Sequence, residues 1–371
     1  MNLKKSNYSW LIMVVMLAFF NPSTFAAEIN GYLMIGVDRS KSSGSTTSSE
    51  NVSGTDMISG ASNLSISHSE ELENGMSGDV FLQFIMPTDT AGGNIQNRNS
   101  YVGLSGGFGA IRLGTNENAY ERLIWEQNYQ EGDWNYGTIQ IMGIAPAGGG
   151  TDTGLTSHVW DRTSNTLMYF SPDGPLKFEM DYVFAGAGTT ATRTPSILSL
   201  GAEYMMGSVK LMAGYQVATD WNAAQGASAS ARDDTGLLFG ALFSMGDLEA
   251  NILMETLEYK DTTNNITTEV DHWALNAKYP MASGTLAFTY ASADDSTVSN
   301  AGTITTPDDG AKTYTVGYYH PLGEATSLFA MYHKTENDAA GDYDFGIQTA
   351  SGAGNAGQDY TNYLFGIIMS F

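Results

Sequence analysis

The stretch "NYLFGIIMSF", Asn362–Phe371, alternates in a way that decides the fold. Every second residue is apolar: Phe371, Met369, Ile367, Phe365 and Tyr363. The residues between them are mixed in character. Successive side chains of a β-strand point to opposite faces, so one face of this segment must lie against an apolar environment. The stretch is therefore predicted to be a strand with a defined partner.

The other end of the chain predicts export. Lys4 and Lys5 precede the apolar run Trp10–Phe20, and the small residues Ala26 and Ala27 follow it. This pattern is typical of a secretory signal peptide, here residues 1–27, cleaved after Ala26 or Ala27. The apolar run is well short of the roughly 20 residues that a membrane-spanning helix needs. Residues 28–371 are then one exported domain, and the sequence contains no cysteine for a disulfide.

Charge and composition restrict the partners and the fold. Loss of Lys4 and Lys5 leaves 14 basic residues against 40 acidic ones, a net charge of −26. Such a chain is not expected to bind nucleic acid, because neutralising phosphates requires clustered Lys and Arg. With 42 Gly, 20 Tyr, only 9 Pro and no long apolar run after residue 27, the composition favours short strands joined by glycine turns. A water-soluble β-sandwich and a membrane β-barrel both fit.

Alternation continues along the chain, as in "LKFEMDYVF", Leu176–Phe184, where apolar and charged residues occupy opposite faces. About sixteen strands are predicted on this basis. They lie near 28–38, 62–70, 76–86, 98–105, 109–115, 161–171, 176–184, 196–206, 208–217, 234–244, 248–259, 269–279, 285–292, 312–320, 326–334 and 358–371.

The connections between these strands choose between the two folds. Along the chain, short turns such as Gly207 and Met245–Asp247 alternate with long polar loops. The long loops include 39–61, 218–233, 293–311 and 335–357. Short turns at one end, long loops at the other and an even strand count indicate an all-β, transmembrane antiparallel β-barrel with short periplasmic turns and long external loops.

Several segments resemble the general trimeric porins of Gram-negative bacteria. They are "SNLSISHSEELENGMSGDVFLQF" (Ser62–Phe84), "NRNSYVGLSGGFGAIRLGTNENAY" (Asn97–Tyr120), "DRTSNTLMYFSPDGPLKFEMDYVF" (Asp161–Phe184) and "YTVGYYHPLGEATSLFAMYHK" (Tyr314–Lys334). The terminal Phe371 resembles that of the family as well. The resemblance spans nearly the whole mature chain, and the order and spacing of the segments are more specific than any one of them.

The resemblance implies a homotrimeric, sixteen-stranded channel in the Gram-negative outer membrane, with the third loop, 115–160, folded into the lumen. It also implies contact with outer-membrane lipid and lipopolysaccharide, and passage of small hydrophilic solutes. Tyr363, Phe365 and Phe371 would belong to the signal that the barrel-assembly machinery reads. Because no sheet edge can remain unpaired in lipid, the last strand is expected to bond to the first, Ile29–Val37.

A pore constriction is expected between the third loop and the barrel wall. Arg98 and Arg162 match wall arginines of the family, and Arg112 has lumen parity between two apolar residues. The predicted acidic residues of the loop are Glu117, Glu121, Glu126 and Asp133.

The sequence departs from the family at several wall positions that are often basic. These are Met34, Asn63, Ser67, Ser77 and Met168. Fewer wall cations leave the acidic charge less balanced, and like charges in a narrow space concentrate counter-ions. The sequence therefore predicts a passive diffusion channel that prefers cations.

Two other functions stay open at this point. A channel specific for a sugar or an anion is one, and a sugar channel would need an aromatic track, for which Trp125, Tyr129, Trp134 and Tyr136 are available. The other is a structural or adhesive barrel with a plugged pore. Single-channel conductance separates both from a general pore.

Enzymatic, metal and cofactor chemistry is not expected. His68 and Ser69 are neighbours in a predicted strand, so their side chains point apart and cannot easily form a nucleophile–base pair. His320 and His333 alone are a poor metal site, and interfacial packing is the better expectation for both. The acidic pairs Asp294–Asp295 and Asp308–Asp309 could bind divalent cations that bridge lipopolysaccharide. Because no twelve-residue calcium loop is present, solvated loops are the better expectation. "GGFG" lies between two strands and is too short for a dinucleotide fingerprint.

Overall fold

In the computed structural model of the protein, the described residues are 27–44, 51–90, 93–130, 136–144, 162–184, 195–220, 232–343 and 356–371. The predicted signal peptide lies outside them, except for Ala27.

Within these ranges, nineteen strands form one antiparallel sheet, and sixteen of them form the wall of a closed barrel. The strands are β1 Glu28–Ser43, β2 Ser53–Ile58, β3 Asn63–Glu71, β4 Ser77–Ile85, β5 Gln96–Gly106, β6 Gly109–Glu117, β7 Arg162–Phe170, β8 Leu176–Phe184, β9 Ser196–Met206, β10 Val209–Thr219, β11 Arg232–Met245, β12 Leu248–Asp261, β13 Ile266–Met281, β14 Gly284–Ala293, β15 Thr297–Asn300, β16 Thr303–Thr305, β17 Ala311–Pro321, β18 Thr326–Asn337 and β19 Asp359–Ser370. β2, β15 and β16 are short additions to the external loops. The prediction of a sixteen-stranded barrel is confirmed.

The barrel closes where the last strand meets the first. β19 pairs antiparallel with β1, from Tyr32 opposite Ser370 to Ser43 opposite Asp359. The Gly31 N–H donates to the Phe371 carbonyl at 2.8 Å, and the Phe371 N–H donates to the Gly31 carbonyl at 3.0 Å. The predicted pairing of the last strand with the first is thereby confirmed, and every wall strand that the structure describes is paired on both sides.

The two faces of β19 show how lipid and lumen shape each strand. Tyr363 and Phe365 are exposed on the outside by 57% and 60%, whereas Asn362 and Leu364 are buried inside the barrel. The outward apolar stripe continues through Ile367, Met369 and Phe371. This stripe is the face predicted from the alternation.

Glycine shapes the short turns. Gly207 joins β9 to β10 with φ of 64°, and Gly246 joins β11 to β12 with φ of 61°. These left-handed conformations are readily adopted by glycine, which has no Cβ to clash with the backbone. Both positions are among the predicted turns.

Strand structure extends further into the external loops than the sequence indicates. β1 continues to Ser43, and β2 lies inside the predicted loop 39–61. β15 and β16 lie inside the predicted loop 293–311. The β1 extension, Arg39–Ser43, is polar on both faces, although Ser40 and Ser42 are buried. The apolar alternation that marks a strand in lipid is therefore missing there.

Helical structure is brief. The α-helix α1 spans Ala119–Trp125, and 3-10 turns span Glu73–Gly75 and Thr138–Gln140. In the part of the chain that the structure describes, every helix is too short or too polar to cross a bilayer.

Candidate functional site: the channel constriction

The third loop, which joins β6 to β7 and spans residues 118–161, folds into the barrel as predicted. It is described over 118–130 and 136–144. Its apolar side chains are almost fully buried: Tyr120, Leu123, Ile124, Ile139, Ile141 and Met142. They pack against lumen-facing wall residues that include Leu238, Leu253 and Leu257. The apolar core of this protein is thus inside the barrel, between loop and wall.

Helix α1 begins against β8 and β9. The Asn118 side chain caps it by accepting a backbone N–H of the first turn at 2.8 Å. The Ala119 N–H donates to the Asp181 carboxylate of β8 at 2.5 Å, and the Tyr120 N–H donates to the Ser199 hydroxyl of β9 at 2.9 Å. The first amides of a helix have no intrahelical acceptor, so cap and wall together supply their partners.

One carboxylate of the wall binds both limbs of the third loop. Glu255 of β12 is buried and accepts from the Tyr120 hydroxyl at 2.7 Å and from the Gly143 N–H at 2.7 Å. Its second oxygen also lies 2.8 Å from His272 Nδ1. His272 Nε2 is 3.3 Å from the hydroxyl of Tyr343, beyond the end of β18. Glu255 therefore connects the two limbs with each other and, through His272, with an external loop.

Further contacts bind the loop to the rest of this wall. They are Asn251 Nδ2 to Gln127 O at 2.9 Å, Thr138 Oγ1 to Asn276 Oδ1 at 2.9 Å, Gln130 Nε2 to Thr289 Oγ1 at 3.3 Å, Tyr319 Oη to Gln130 Oε1 at 3.1 Å and Tyr136 Oη to Asp38 Oδ2 at 3.2 Å. The loop thus follows β8–β14, β17–β19 and β1, which we call the covered sector. The remaining wall, β3–β7, is the open sector.

Two of the predicted wall arginines lie beside Glu117, the last residue of β6, where the third loop begins. Arg162 forms an ion pair with Glu117, and Arg98 lies 3.7 Å from the same Glu117 oxygen. Arg162 Nε also donates to the Asn99 side chain at 3.1 Å. Glu117 is therefore balanced by two cations where the loop leaves the wall.

Arg112 stands apart from this cluster. Its guanidinium lies over the rings of Tyr101 and Phe170, with the Cζ atom 4.4 Å from each ring centroid. Its neighbours Ile111 and Leu113 are exposed on the outside of the barrel, so Arg112 lies on the lumen face of β6. Among the described residues it makes no ion pair, so no neighbouring carboxylate offsets its charge.

Arg122 is a further cation that the sequence reasoning missed. It lies on α1 and forms a two-pronged ion pair with Glu179 of β8, with Nε 2.9 Å from one carboxylate oxygen. Its Cζ atom is 5.2 Å from the centroid of the Phe170 ring. No local signal joins Arg122 to a strand so distant in sequence. Only the inward fold of the loop brings them together.

The predicted loop carboxylates differ in how far they are exposed to the lumen. Glu121 is fully buried and accepts from Trp125 Nε1 at 2.8 Å, so the expectation that it faces the constriction is wrong. It is drawn inward because the helix turns this face toward the wall. The Glu126 side chain, in contrast, is exposed and lines the cavity beside α1. Withdrawal from bulk water inside the barrel, together with the charge of Glu203, raises the pKa of the Glu126 carboxyl. Asp133 lies outside the described residues.

A cavity of about 660 Å³ lies between α1 and the adjoining wall. Charged residues of both signs and two phenylalanines line it, with Arg112, Arg122, Lys177, Glu126, Glu179, Glu203, Phe170 and Phe178 among the lining residues. A space of this size admits small hydrophilic molecules.

The aromatic residues proposed for a sugar track are mostly withdrawn from the lumen. Tyr136 is fully buried, Tyr129 is 8% exposed, and Trp134 lies outside the described residues. The hydroxyl of Tyr136 donates to Asp38 and its ring contacts His333, while the Tyr129 ring contacts Lys278, so both residues hold the loop to the covered sector.

The histidines also have structural surroundings. His333 is buried inside the barrel between the Thr315 hydroxyl at 2.8 Å and the Thr335 hydroxyl at 3.0 Å, so its predicted interfacial position is wrong. It occupies the inward parity of β18, which the sequence did not distinguish. Ser69 donates to Asp79 at 2.8 Å, on the face opposite His68.

Three exposed carboxylates gather on the external loops. Asp295, Asp308 and Asp338 place one oxygen each within 4.8 Å of the others. Of the two acidic pairs that were expected to be solvated, Asp294, Asp295 and Asp308 are exposed. Asp309 is buried instead and accepts from the Ser296 N–H and hydroxyl, both at 2.7 Å, so the expectation is wrong for this residue.

A closed sixteen-stranded barrel with an apolar outside, a polar lumen and an inward-folded loop is the architecture of an outer-membrane channel. Comparison with known proteins identifies the class more closely. The sequence model of the Gram-negative porin family matches residues 14–340 of this chain. The chain belongs to the Gram-negative porin family and is located in the outer membrane.

Individual relatives agree with this assignment. Outer membrane porin protein 32 of Delftia acidovorans is 26% identical over 327 residues, which is 84% of each chain. The anion-selective porin from Comamonas acidovorans has the same fold, with a TM-score of 0.74 at 20% identity over 93% of this chain and 99% of that one. The trimer form of OmpT from Vibrio cholerae has a TM-score of 0.64 at 13% identity, with 93% and 99% covered.

Proposed function

We propose that this porin is a passive, non-enzymatic diffusion channel for small hydrophilic solutes and ions. The observation that carries the proposal is the division of the lumen. The third loop is bonded to the covered sector, and a cavity of about 660 Å³ remains between α1 and the wall from β5 to β9. Arg112 is the charged side chain that the open sector contributes to it, and α1, β8 and β9 contribute charges of both signs. A path of this kind needs no moving part and no bound cofactor.

We further propose that the channel prefers cations. Arg98 and Arg162 share Glu117, and Arg122 pairs with Glu179, so much of the cationic charge at the constriction is already offset. The chain as a whole is strongly acidic. Its external carboxylates attract cations to the mouth. The Comamonas neighbour is described as anion-selective, and Arg112 is the feature here that would act in the same direction.

Planar-bilayer recording tests both parts of the proposal. A steady ohmic conductance is expected from the purified protein in KCl, and a KCl gradient should give a reversal potential of the sign for cation permeation. Zero current would favour a structural or adhesive barrel, and current blocked by sugars would favour a specific channel. A reversal potential of the opposite sign would remove the cation preference while leaving the diffusion channel intact.

The protein is further proposed to act as a homotrimer surrounded by outer-membrane lipid and lipopolysaccharide. Support comes from the trimeric form of a protein that shares its fold. Light scattering on the detergent-purified protein should give three times the mature chain mass. N-terminal sequencing of that sample should begin at Ala27 or Glu28, because the signal peptide is proposed to be removed after Ala26 or Ala27.

Tyr363, Phe365 and Phe371 are proposed to form the signal that the barrel-assembly machinery reads. The Phe371 ring lies over Gly31 so closely that an added Cβ there would be 2.0 Å from Cζ of the ring. Deletion of Phe371 should lower the amount of folded barrel in the membrane without changing the conductance of each channel that assembles. Met369→Ser, on the same outward stripe, is the matched control. Normal assembly of the deletion variant would refute the signal role.

A further inference from the structure

Stacked planar groups form a continuous row on the lumen side of the barrel, which we call the aromatic–arginine ladder: Phe81, Tyr101, Arg112, Phe170 and Arg122. The rings of Phe81 and Tyr101 are stacked, with centroids 5.4 Å apart and 26° between their planes. Arg112 then lies 4.4 Å from both Tyr101 and Phe170, and Arg122 lies 5.2 Å from Phe170. Aromatic rings and guanidinium groups thus alternate after the first pair.

The strand register explains how these large groups lie side by side. Phe81 of β4 is directly opposite Tyr101 of β5. Gly103 is directly opposite Arg112, and a Cβ at Gly103 would be 3.0 Å from Arg112 Cγ. Each Arg112 ring partner is therefore a diagonal neighbour, and the missing side chain at Gly103 lets the arginine lie flat along the wall.

The ladder remains accessible from the lumen. All five members keep part of their surface exposed, and Arg112, Phe170 and Arg122 line the cavity beside α1. The two arginines differ in one respect. Arg122 forms an ion pair with Glu179, whereas Arg112 makes no ion pair among the described residues. One guanidinium edge and the neighbouring ring surface can therefore receive a solute.

We propose that the aromatic–arginine ladder is a binding subsite for planar aromatic carboxylates in transit through the channel. The carboxylate of the solute would accept hydrogen bonds from the N–H groups of Arg112, and the aromatic ring of the solute would stack on the neighbouring rings of the ladder. This inference rests on the proposed function as a diffusion channel. It concerns contact at one place in the lumen, whereas the cation preference concerns the long-range field, so a cation-preferring pore can still retain such a solute.

The experiment compares two carboxylates that differ in planarity. Purified protein in a planar bilayer is recorded in KCl while sodium benzoate or sodium cyclohexanecarboxylate is added. Both solutes carry the same charge and a six-membered ring, but only benzoate is flat. Benzoate should reduce the current at a concentration about tenfold lower than cyclohexanecarboxylate, as expected for stacking on rings and guanidinium groups. Equal block by the two solutes would overturn the proposal.

Variants separate stacking from charge. Arg112→Lys keeps the charge but loses the planar group, so it should raise the half-blocking concentration of benzoate severalfold and leave that of cyclohexanecarboxylate nearly unchanged. Tyr101→Leu should act in the same direction. Lys278→Gln is the matched control, because it removes another lumen-facing cation, 4.7 Å from the Tyr129 ring, in the covered sector. An Arg112→Lys variant that retains full benzoate block would refute the role of stacking.

Failure of this inference is distinguishable from failure of the proposed function. The current in KCl without added solute reports on the channel itself. Normal conductance with equal block by both carboxylates contradicts only the ladder, whereas absence of conductance contradicts the diffusion channel and, with it, the ladder. Gly103→Ala offers an independent variant, because its new Cβ should push Arg112 from the stack and weaken benzoate block.

Discussion

The covered and open sectors of the lumen are parts of one barrel wall, yet they carry different chemistry. In the covered sector, Glu255 and its neighbours are buried and hydrogen-bonded to the third loop. In the open sector, Arg112 is partly exposed and stacked on rings instead of being paired. The difference shows that one side of the wall holds the loop in place, whereas the other side leaves a charged side chain exposed to the lumen.

The physical basis of this division is the cost of burial. A buried carboxylate is tolerated only where donors satisfy it, and Glu255 has the Tyr120 hydroxyl, the Gly143 N–H and His272 around it. A partly exposed arginine keeps water at its edge and needs no such partners. Changes in the covered sector should therefore alter the loop, and changes in the open sector should alter selectivity.

The largest effect is expected from Glu255→Gln, which breaks the attachment of the loop. An amide has one acceptor oxygen, so it cannot serve the donors of both limbs, and a buried donor left unpaired costs about 1–3 kcal/mol. The steady single-channel current should become a fluctuating one. Glu258→Gln is the control, because Glu258 lies on the same strand with the opposite parity.

A disulfide can test whether those fluctuations come from the loop. The Cβ of Ala119 would be 3.4 Å from a Cβ at Gly201, close to the separation found in disulfides, and the chain has no other cysteine. Ala119→Cys with Gly201→Cys in the Glu255→Gln background should restore a steadier current when oxidised. Reduction should bring the fluctuations back. A steady current in the Glu255→Gln variant itself would refute the attachment role.

A severalfold effect is expected from Arg112→Gln in the open sector. Removing one unpaired charge changes the energy of an ion about 4 Å away by about 1 kcal/mol even in water. The reversal potential in a KCl gradient should therefore shift toward greater cation preference, while conductance stays steady. Lys278→Gln should shift it less, because Lys278 already pairs with Glu249 at 3.0 Å. An unchanged reversal potential would show that Arg112 does not face the permeating ions.

A smaller effect is expected from acidification. Because the pKa of Glu126 is raised, this side chain takes up its proton, and so loses its negative charge, at a higher pH than an ordinary carboxyl does. Cation preference should decline over that range. Glu126→Gln should have the lower preference already at neutral pH and a flatter pH profile, as measured by reversal potentials. A profile identical to that of the wild type would contradict the prediction.

The smallest effect is expected from Tyr136→Phe in the covered sector. The hydroxyl donates to Asp38 at 3.2 Å and lies 3.3 Å from Asn362, which itself donates to Asp38 at 2.8 Å. Asp38 thus keeps one partner, and the loss should be about 0.5–1.5 kcal/mol of loop attachment. Thermal unfolding of the barrel should change little, with only a modest rise in current noise. Noise equal to that of Glu255→Gln would contradict the ranking.

The constriction was only partly predictable for a physical reason. Arg112 could be placed in the lumen because it lies in a strand, where parity assigns each side chain to a face. Glu121 could not be placed, because it lies in a short helix whose orientation depends on the wall that it packs against. Arg122 and Glu179 were not expected to pair, since nothing local relates a loop residue to a distant strand.

The sequence by itself determined the barrel, its strand number and its closing seam. Lipid outside and water inside impose a period of two on every strand, and an edge in lipid must be paired, so the alternation in Asn362–Phe371 already requires β1 as its partner. Only the tertiary structure decided the division of the lumen. The third loop has no such period, and its position follows from which buried donors meet Glu255 and which wall is left for Arg112.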